Sequence, residues 1–196
     1  MVWSCAPRYP RRSSTLPSGH PLRLSDTVVV VSKQATFRAN VGIVVTRGDG
    51  QVAWFERFDH PGSWQFPQGG INRDEPPTAA AARELLEETG LGDDRIEWVA
   101  ELDEWLAYTF PAEHHGRHLG QIQRWFLVRT VGDAEPDLDR AADDEFRSWR
   151  WAEPEAYLDR VVDFKEAVYL RVIDWLRSEL DLASTRPYGN PVVRPT

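Results

Sequence analysis

Cysteine is nearly missing from this chain. Cys5 is the only one in 196 residues, which excludes an internal disulfide framework and fits a reducing compartment. Lysine is almost as scarce, with only Lys33 and Lys165 beside many arginines. Basic residues number 23 against 31 acidic ones, a net charge of −8. That balance excludes a broad basic surface for holding duplex nucleic acid through many phosphates, yet leaves room for a local pocket that grips one nucleotide end. Long apolar runs are also missing. The longest near the N-terminus is VVVV, Val28 to Val31, so no segment is expected to span a bilayer. The apolar sequence before Cys5 is too short for a signal peptide, and the expected location is cytoplasmic. No internal repeat is present.

What remains is the composition of a globular domain, 41% hydrophobic and 28% charged, long enough for a proper core. Residues 1–34 open on a stretch rich in Pro, Ser and Arg, APRYPRRSSTLPSGHPLRLS, without hydrophobic periodicity. They read as a flexible N-terminal extension. Residues 183–196 read as a loose C-terminal tail, leaving 35–182 as the folded domain.

Inside that domain the pattern is mixed. FRANVGIVVTR reads as a strand, Gly48 to Gly50 as a turn, and QVAWFERF as a second strand. SWQFPQGG runs into a glycine-containing loop, Gly69 to Asp74. Pro76 and Pro77 suit a first helical turn, TAAAARELLEET carries strong helix formers, and Gly90 supplies a stop. IEWVAELDEWLAYTF and GQIQRWFLVRTV are further strand candidates, separated by the polar loop PAEHHGRHLG, and EFRSWRWAEPEAYL follows without an assigned element. A last amphipathic helix aligns Phe164, Val168, Val172, Leu176 and Leu180. The expected fold is a mixed α/β sandwich with few strictly alternating βαβ units. The tryptophans, among them Trp64, Trp125, Trp149 and Trp151, are expected in the core or on strand faces. His114, His115 and His118 are read as a solvated loop, since no further ligand pattern accompanies them.

The stretch RELLEETGL, Arg83 to Leu91, places Glu84, Glu87 and Glu88 within five residues. On a helix this spacing stacks carboxylates on one face. Each exposed like-charge pair costs roughly 0.2–0.5 kcal/mol, and a divalent cation would relieve the repulsion. Carboxylate oxygens are hard ligands suited to Mg²⁺ or Mn²⁺, and magnesium keeps waters while bridging to substrate phosphates. As a bare string, a merely solvated face is the commoner explanation.

The wider spacing changes that balance. Gly69, five residues, Glu75, seven residues, and then Arg83-Glu84-Leu85-Leu86-Glu87-Glu88-Thr89-Gly90-Leu91 resembles the Nudix box at every defined position. The resemblance implies an α/β/α sandwich with a mixed sheet, in which the box forms a loop–helix–loop. It also implies metal-dependent cleavage of a nucleoside diphosphate linked to another group. By position, Glu84, Glu87 and Glu88 would bind the metal, Mg²⁺ or Mn²⁺, and Arg83 would orient a glutamate. Gly69 would let a nearby backbone carbonyl reach the metal, and Glu75 would shape the loop.

The flanks FRANVGIVV, SWQFPQGGIN, GQIQRWFLV, EFRSWRW and VVDFKEAVY are similar to the Nudix branch of RNA pyrophosphohydrolases and asymmetric diadenosine polyphosphate hydrolases. That likeness implies Glu145 as a further metal ligand or general base, with Arg38, Arg57 and Lys165 meeting substrate phosphates. Ser63 and Tyr108 would line the pocket, and Phe164 would stack on the first base. Without the resemblance, Glu145 also fits an acidic loop, Arg38 and Arg57 also fit sheet-edge ion pairs, and Phe164 also fits the helix's apolar stripe. The expected substrate is a 5′-triphosphorylated RNA end, the alternative a diadenosine polyphosphate. A non-catalytic nucleotide sensor ranks below both, because every box glutamate is present. Either Glu88 or Glu145 would take the proton from the attacking water.

Overall fold

The computed structural model describes residues 36–185, and side-chain burial as far as 180. The expected extension over 1–34, with Cys5, Lys33 and the VVVV run, lies outside the described residues. Of the expected tail over 183–196, residues 183–185 continue the last helix and the rest lies outside the described residues. The strands are β1 (Phe37–Thr46), β2 (Val52–Arg57), β3 (Trp64–Gln65), β4 (Gln68–Gly70), β5 (Ile96–Glu101), β6 (Leu106–Thr109), β7 (Gly120–Thr130) and β8 (Phe146–Ala152). The helices are α1 (Pro77–Thr89) and α2 (Glu166–Thr185), with short 3-10 turns between elements.

β1 is buried from Asn40 to Thr46. A strand covered on both faces reads as a near-continuous apolar run, which is why VGIVV does not alternate. β1 pairs in parallel with β7, from Phe37 opposite Gly120 to Thr46 opposite Arg129. The remaining pairs are antiparallel: β2 with β1, β3 and β8, β4 with β1, and both β5 and β6 with β7. The sheet is therefore mixed.

Alternate residues separate two cores. Val41, Ile43, Val45, Phe126 and Val128 pack with Ala80, Ala81 and Leu85 of α1. Val44, Trp54, Phe66, Trp125 and Leu127 pack with Tyr169, Val172 and Leu176 of α2. This is an α/β/α sandwich. Trp64 and Trp125 are core residues, and Trp149 and Trp151 are half-buried and meet edge to face.

Gly42 lies opposite Trp125 in register. A Cβ there would come within 2.7 Å of three indole carbons, and the indole is fully buried. Gly42→Ala is therefore expected to destabilise the fold by about 1–3 kcal/mol through overpacking, measured by urea unfolding. An unchanged midpoint would contradict this packing.

Three local expectations need correction. Gln68 to Gly70, read as the start of a loop, form β4, because the backbone pairs with Asn40 to Gly42 of β1. IEWVAELDEWLAYTF is two strands rather than one. It follows β7 through a bulge at Trp98/Ala100, leaves it after Glu101 and returns at Leu106. Phe164 precedes the last helix, in a 3-10 turn at Asp163–Lys165.

Candidate active site

α1 begins where a missing N–H costs nothing, with Pro77 in its first turn and Pro76 before it. It ends at Gly90, whose φ of 70° is the left-handed cap that glycine supplies, and the Gly90 N–H donates to the Leu86 carbonyl. Between them, the face turned to the sheet carries Ala81, Glu84, Leu85 and Glu88, all buried. Two of the three clustered glutamates are thus nearly inside the protein.

Burial pushes the Glu84 carboxyl up, against the bonds and charge of Arg83, while the charge of Glu87 adds to the rise. Glu88 is pushed up well above the usual carboxylate range, first by burial and then by the charges of Glu145, Glu84 and Asp143; a backbone N–H from Gln68 at 3.0 Å works the other way. Two buried carboxylates that repel each other and are each costly to ionise form a donor set that a divalent cation suits.

Arg83 organises this cluster. Its guanidinium donates to Glu84 at 2.7 Å, to Glu87 at 3.0 Å, to the Gly70 carbonyl at 2.9 Å, and to both oxygens of Glu75. Arg83 hydrogen bonds hold the Glu75 carboxyl down to about 2, and Glu75 also accepts from the Asn72 N–H at 2.8 Å. Glu75 therefore ties the loop to the helix. Among the described residues, no three carboxylate, imidazole or thiol groups converge into a ready-made cation cage. Magnesium does not need one, since it is commonly held by one or two carboxylates together with substrate phosphates.

The two glycines of β4 serve opposite faces of one strand. A Cβ on Gly69 would overlap the Glu84 carboxylate, and a Cβ on Gly70 would overlap the Arg38 guanidinium. The Nudix-box resemblance assigns Gly69 to backbone reach; the geometry adds that Glu84 occupies the space its side chain would need.

Glu145 lies just before β8. A register shift at Glu56/Arg57 in the β2–β8 pairing sets Arg57 beside it, with the Arg57 guanidinium 3.8 Å from its carboxylate. Arg57 also forks onto Asp59 at 2.8 and 2.7 Å. Ser63 sits in the intervening turn, its carbonyl accepting from the Arg57 N–H.

Lys165 is 7% exposed, with its ammonium 5.7 Å from the Tyr108 ring and 3.2 Å from Gln65 Oε1. Burial, aided by the charge of Arg57, lowers it to about 8. Tyr108 donates to Gln121 at 2.6 Å and packs against Phe164, which is half-buried between Tyr108 and Phe110. His115 lies 2.8 Å from the Phe110 carbonyl and His118 3.0 Å from the Thr36 hydroxyl.

A layer of buried amides escapes the sequence reading. Gln123 donates to Gln68 at 2.8 Å and to Asn40 at 3.3 Å, and Gln65 donates to Glu145 at 3.3 Å. The available signal was polar residues set inside apolar strands, the Q of WQF and the second Q of GQIQ. Two depressions of about 410 and 400 Å³, beside Trp149 and Trp151, contain none of these groups. Charge marks this site, not cavity size.

Residues 36–176 match the Nudix domain. An RNA pyrophosphohydrolase of Stenotrophomonas maltophilia is 45% identical over 143 residues, covering 70% of this chain and 69% of the relative. Another RNA pyrophosphohydrolase, of a Psychrobacter species, is 43% identical over 155 residues, covering 74% and 87%. In structure, the dihydroneopterin triphosphate pyrophosphohydrolase of E. coli superposes with a TM-score of 0.57 at 15% identity, over 70% of this chain and 96% of that one; this likeness concerns the fold. A domain match from the threshold of β1 into α2, with relatives this similar along the same span, makes the chain a member of the Nudix hydrolase family.

Proposed function

We propose that this protein removes pyrophosphate, or phosphate stepwise, from 5′-triphosphorylated RNA, with Mg²⁺ as its metal and Mn²⁺ as a substitute, in the cytoplasm. The observation that supports it most is the pair of buried, mutually repelling carboxylates, Glu84 and Glu88, facing the QGG strand. The net charge of −8 fits a substrate gripped at its end rather than along a duplex. Among the described residues, no helix is long and apolar enough to cross a membrane.

In this reading Glu84, Glu87, Glu88 and Glu145 would supply the carboxylate ligands, shared with the substrate phosphates rather than gathered into one cage, and Gly69 leaves room for Glu84. The metal, when bound, neutralises charge on the phosphates and lowers the pKa of water. Arg83 keeps Glu84 and Glu87 aligned. Arg38, Arg57 and Lys165 grip the polyphosphate and hold it in line, lowering the entropic cost of alignment. Ser63 and Tyr108 line the same recess, and Phe164 stacks on the first base. Water attacks phosphorus, a bridging P–O bond breaks, the phosphate or pyrophosphate departs, and Glu88 or Glu145 accepts the water's proton.

Side-by-side kinetics on triphosphorylated RNA and diadenosine tetraphosphate test the substrate. Higher kcat/KM on RNA is expected. Faster turnover of the dinucleotide by orders of magnitude would make asymmetric dinucleotide hydrolysis the function instead.

Metal and proton compete for Glu88. Its raised pKa means the folded, metal-free protein binds more protons than the unfolded chain above about pH 4.3, so its stability falls as pH rises. Glu75 and Asp59, whose pKa values are lowered, are ionised in both states between pH 5 and 7, and Lys165 titrates higher. Saturating Mg²⁺ is therefore expected to raise the unfolding midpoint more at pH 7 than at pH 5. Equal shifts in thermal scans at both values would contradict this competition.

A further inference from the structure

Gln65 is 4% exposed and sits between two groups of opposite charge. Its Oε1 accepts from Lys165 Nζ at 3.2 Å, and its Nε2 donates to Glu145 at 3.3 Å. Only this orientation of the amide serves both neighbours. Reversed, it would set NH₂ against an ammonium and a carbonyl oxygen against a carboxylate. The amide dipole is thus aligned by its surroundings.

We propose that Gln65 is a positioning residue for phosphoanhydride hydrolysis: its amide spans Lys165 and Glu145, orients each, and keeps the two from closing as a direct ion pair. This rests on the hydrolase reading above. A direct pair would occupy the ammonium and one carboxylate oxygen of Glu145. With the neutral amide between them, Lys165 spends one of its three donors on Gln65 and keeps two for a phosphate. Glu145 keeps its remaining lone pairs for the metal or the attacking water. The residue touches no substrate itself; it acts through its two neighbours.

Two measurements on the full chain test this. Proton–nitrogen NMR of the Gln65 carboxamide reads its contacts without catalysis. The resonance is expected to move in both Lys165→Met and Glu145→Gln, and a resonance that ignores either change would overturn the proposal. Kinetics on triphosphorylated RNA read the consequence. Gln65→Met keeps the volume but loses both bonds, and is expected to lower kcat by up to about 100-fold through misplacement and to raise KM. Adding Lys165→Met should bring little further rise in KM, because both changes remove the same grip. Near-normal kcat and KM in Gln65→Met, or KM penalties that simply multiply, would also overturn it. Failure of the unsubstituted enzyme to hydrolyse RNA would instead sink the functional reading, while the NMR result would still judge Gln65.

Discussion

Replacing Glu88 by glutamine is expected to lower phosphoanhydride hydrolysis about 10²–10⁴-fold while raising the unfolding midpoint of the metal-free protein. The two effects have one cause. Glu88 is almost wholly buried, 6% exposed, near Glu84, Asp143 and Glu145, so ionising it in the folded state is costly and that cost opposes folding as pH rises. Glutamine keeps the shape and can still accept the Gln68 N–H that now donates to Glu88 at 3.0 Å. The substitution therefore removes an electrostatic cost along with a ligand and proton acceptor. Steady-state kinetics and metal-free thermal unfolding of the same preparation check both halves. Near-normal turnover, or a clear loss of metal-free stability, would show that Glu88 belongs to the framework and not the chemistry.

Gly69→Ala is expected to cost about 100-fold in kcat with little change in overall structure. A methyl group there would overlap the Glu84 carboxylate. Glu84 is bonded to Arg83 at 2.7 Å, so making room for the methyl group pulls its carboxylate away from that anchor. Displacing one ligand by an ångström or so is enough for a loss of that size. The stabilisation gained from Mg²⁺ should shrink in parallel. An alanine variant with normal kcat and normal metal response would mean that Glu84 is free to shift without consequence.

Much of this arrangement was legible because helices signal themselves. The Nudix-box resemblance marks Glu75, separated from Arg83 by seven residues, as a loop-shaping residue, and Arg83 forks onto it. Glu84 and Glu88, four residues apart, share one face as the helical period requires. The strands were less legible at their margins. β4 contains two glycines, poor strand formers, and exists because β1 offers its backbone between Asn40 and Gly42. That pairing is tertiary and leaves no local pattern. The interruption between β5 and β6 is likewise set by register along β7. Phe164 continues the apolar spacing of α2, yet the chain takes a tighter turn there before the helix starts at Glu166.

The amides were hidden for a different reason. Gln65, Gln68, Asn40 and Gln123 are buried polar residues, and a single glutamine inside a strand has no periodicity to mark it. Burial without a partner would be costly. The side-chain partners that matter are distant in sequence: Gln68 and Asn40 for the Gln123 amide NH₂, Glu145 and Lys165 for Gln65.

The most direct test is a calorimetric titration of Mn²⁺ into the full chain, with a non-hydrolysable nucleoside triphosphate present. The same titration on the Glu84→Gln/Glu88→Gln double variant provides the comparison. Binding that is saturable in the unsubstituted protein and weaker by at least about tenfold in the variant is the expected result. Equal affinities in the two would contradict the claim that these buried carboxylates are gathered to hold a divalent cation.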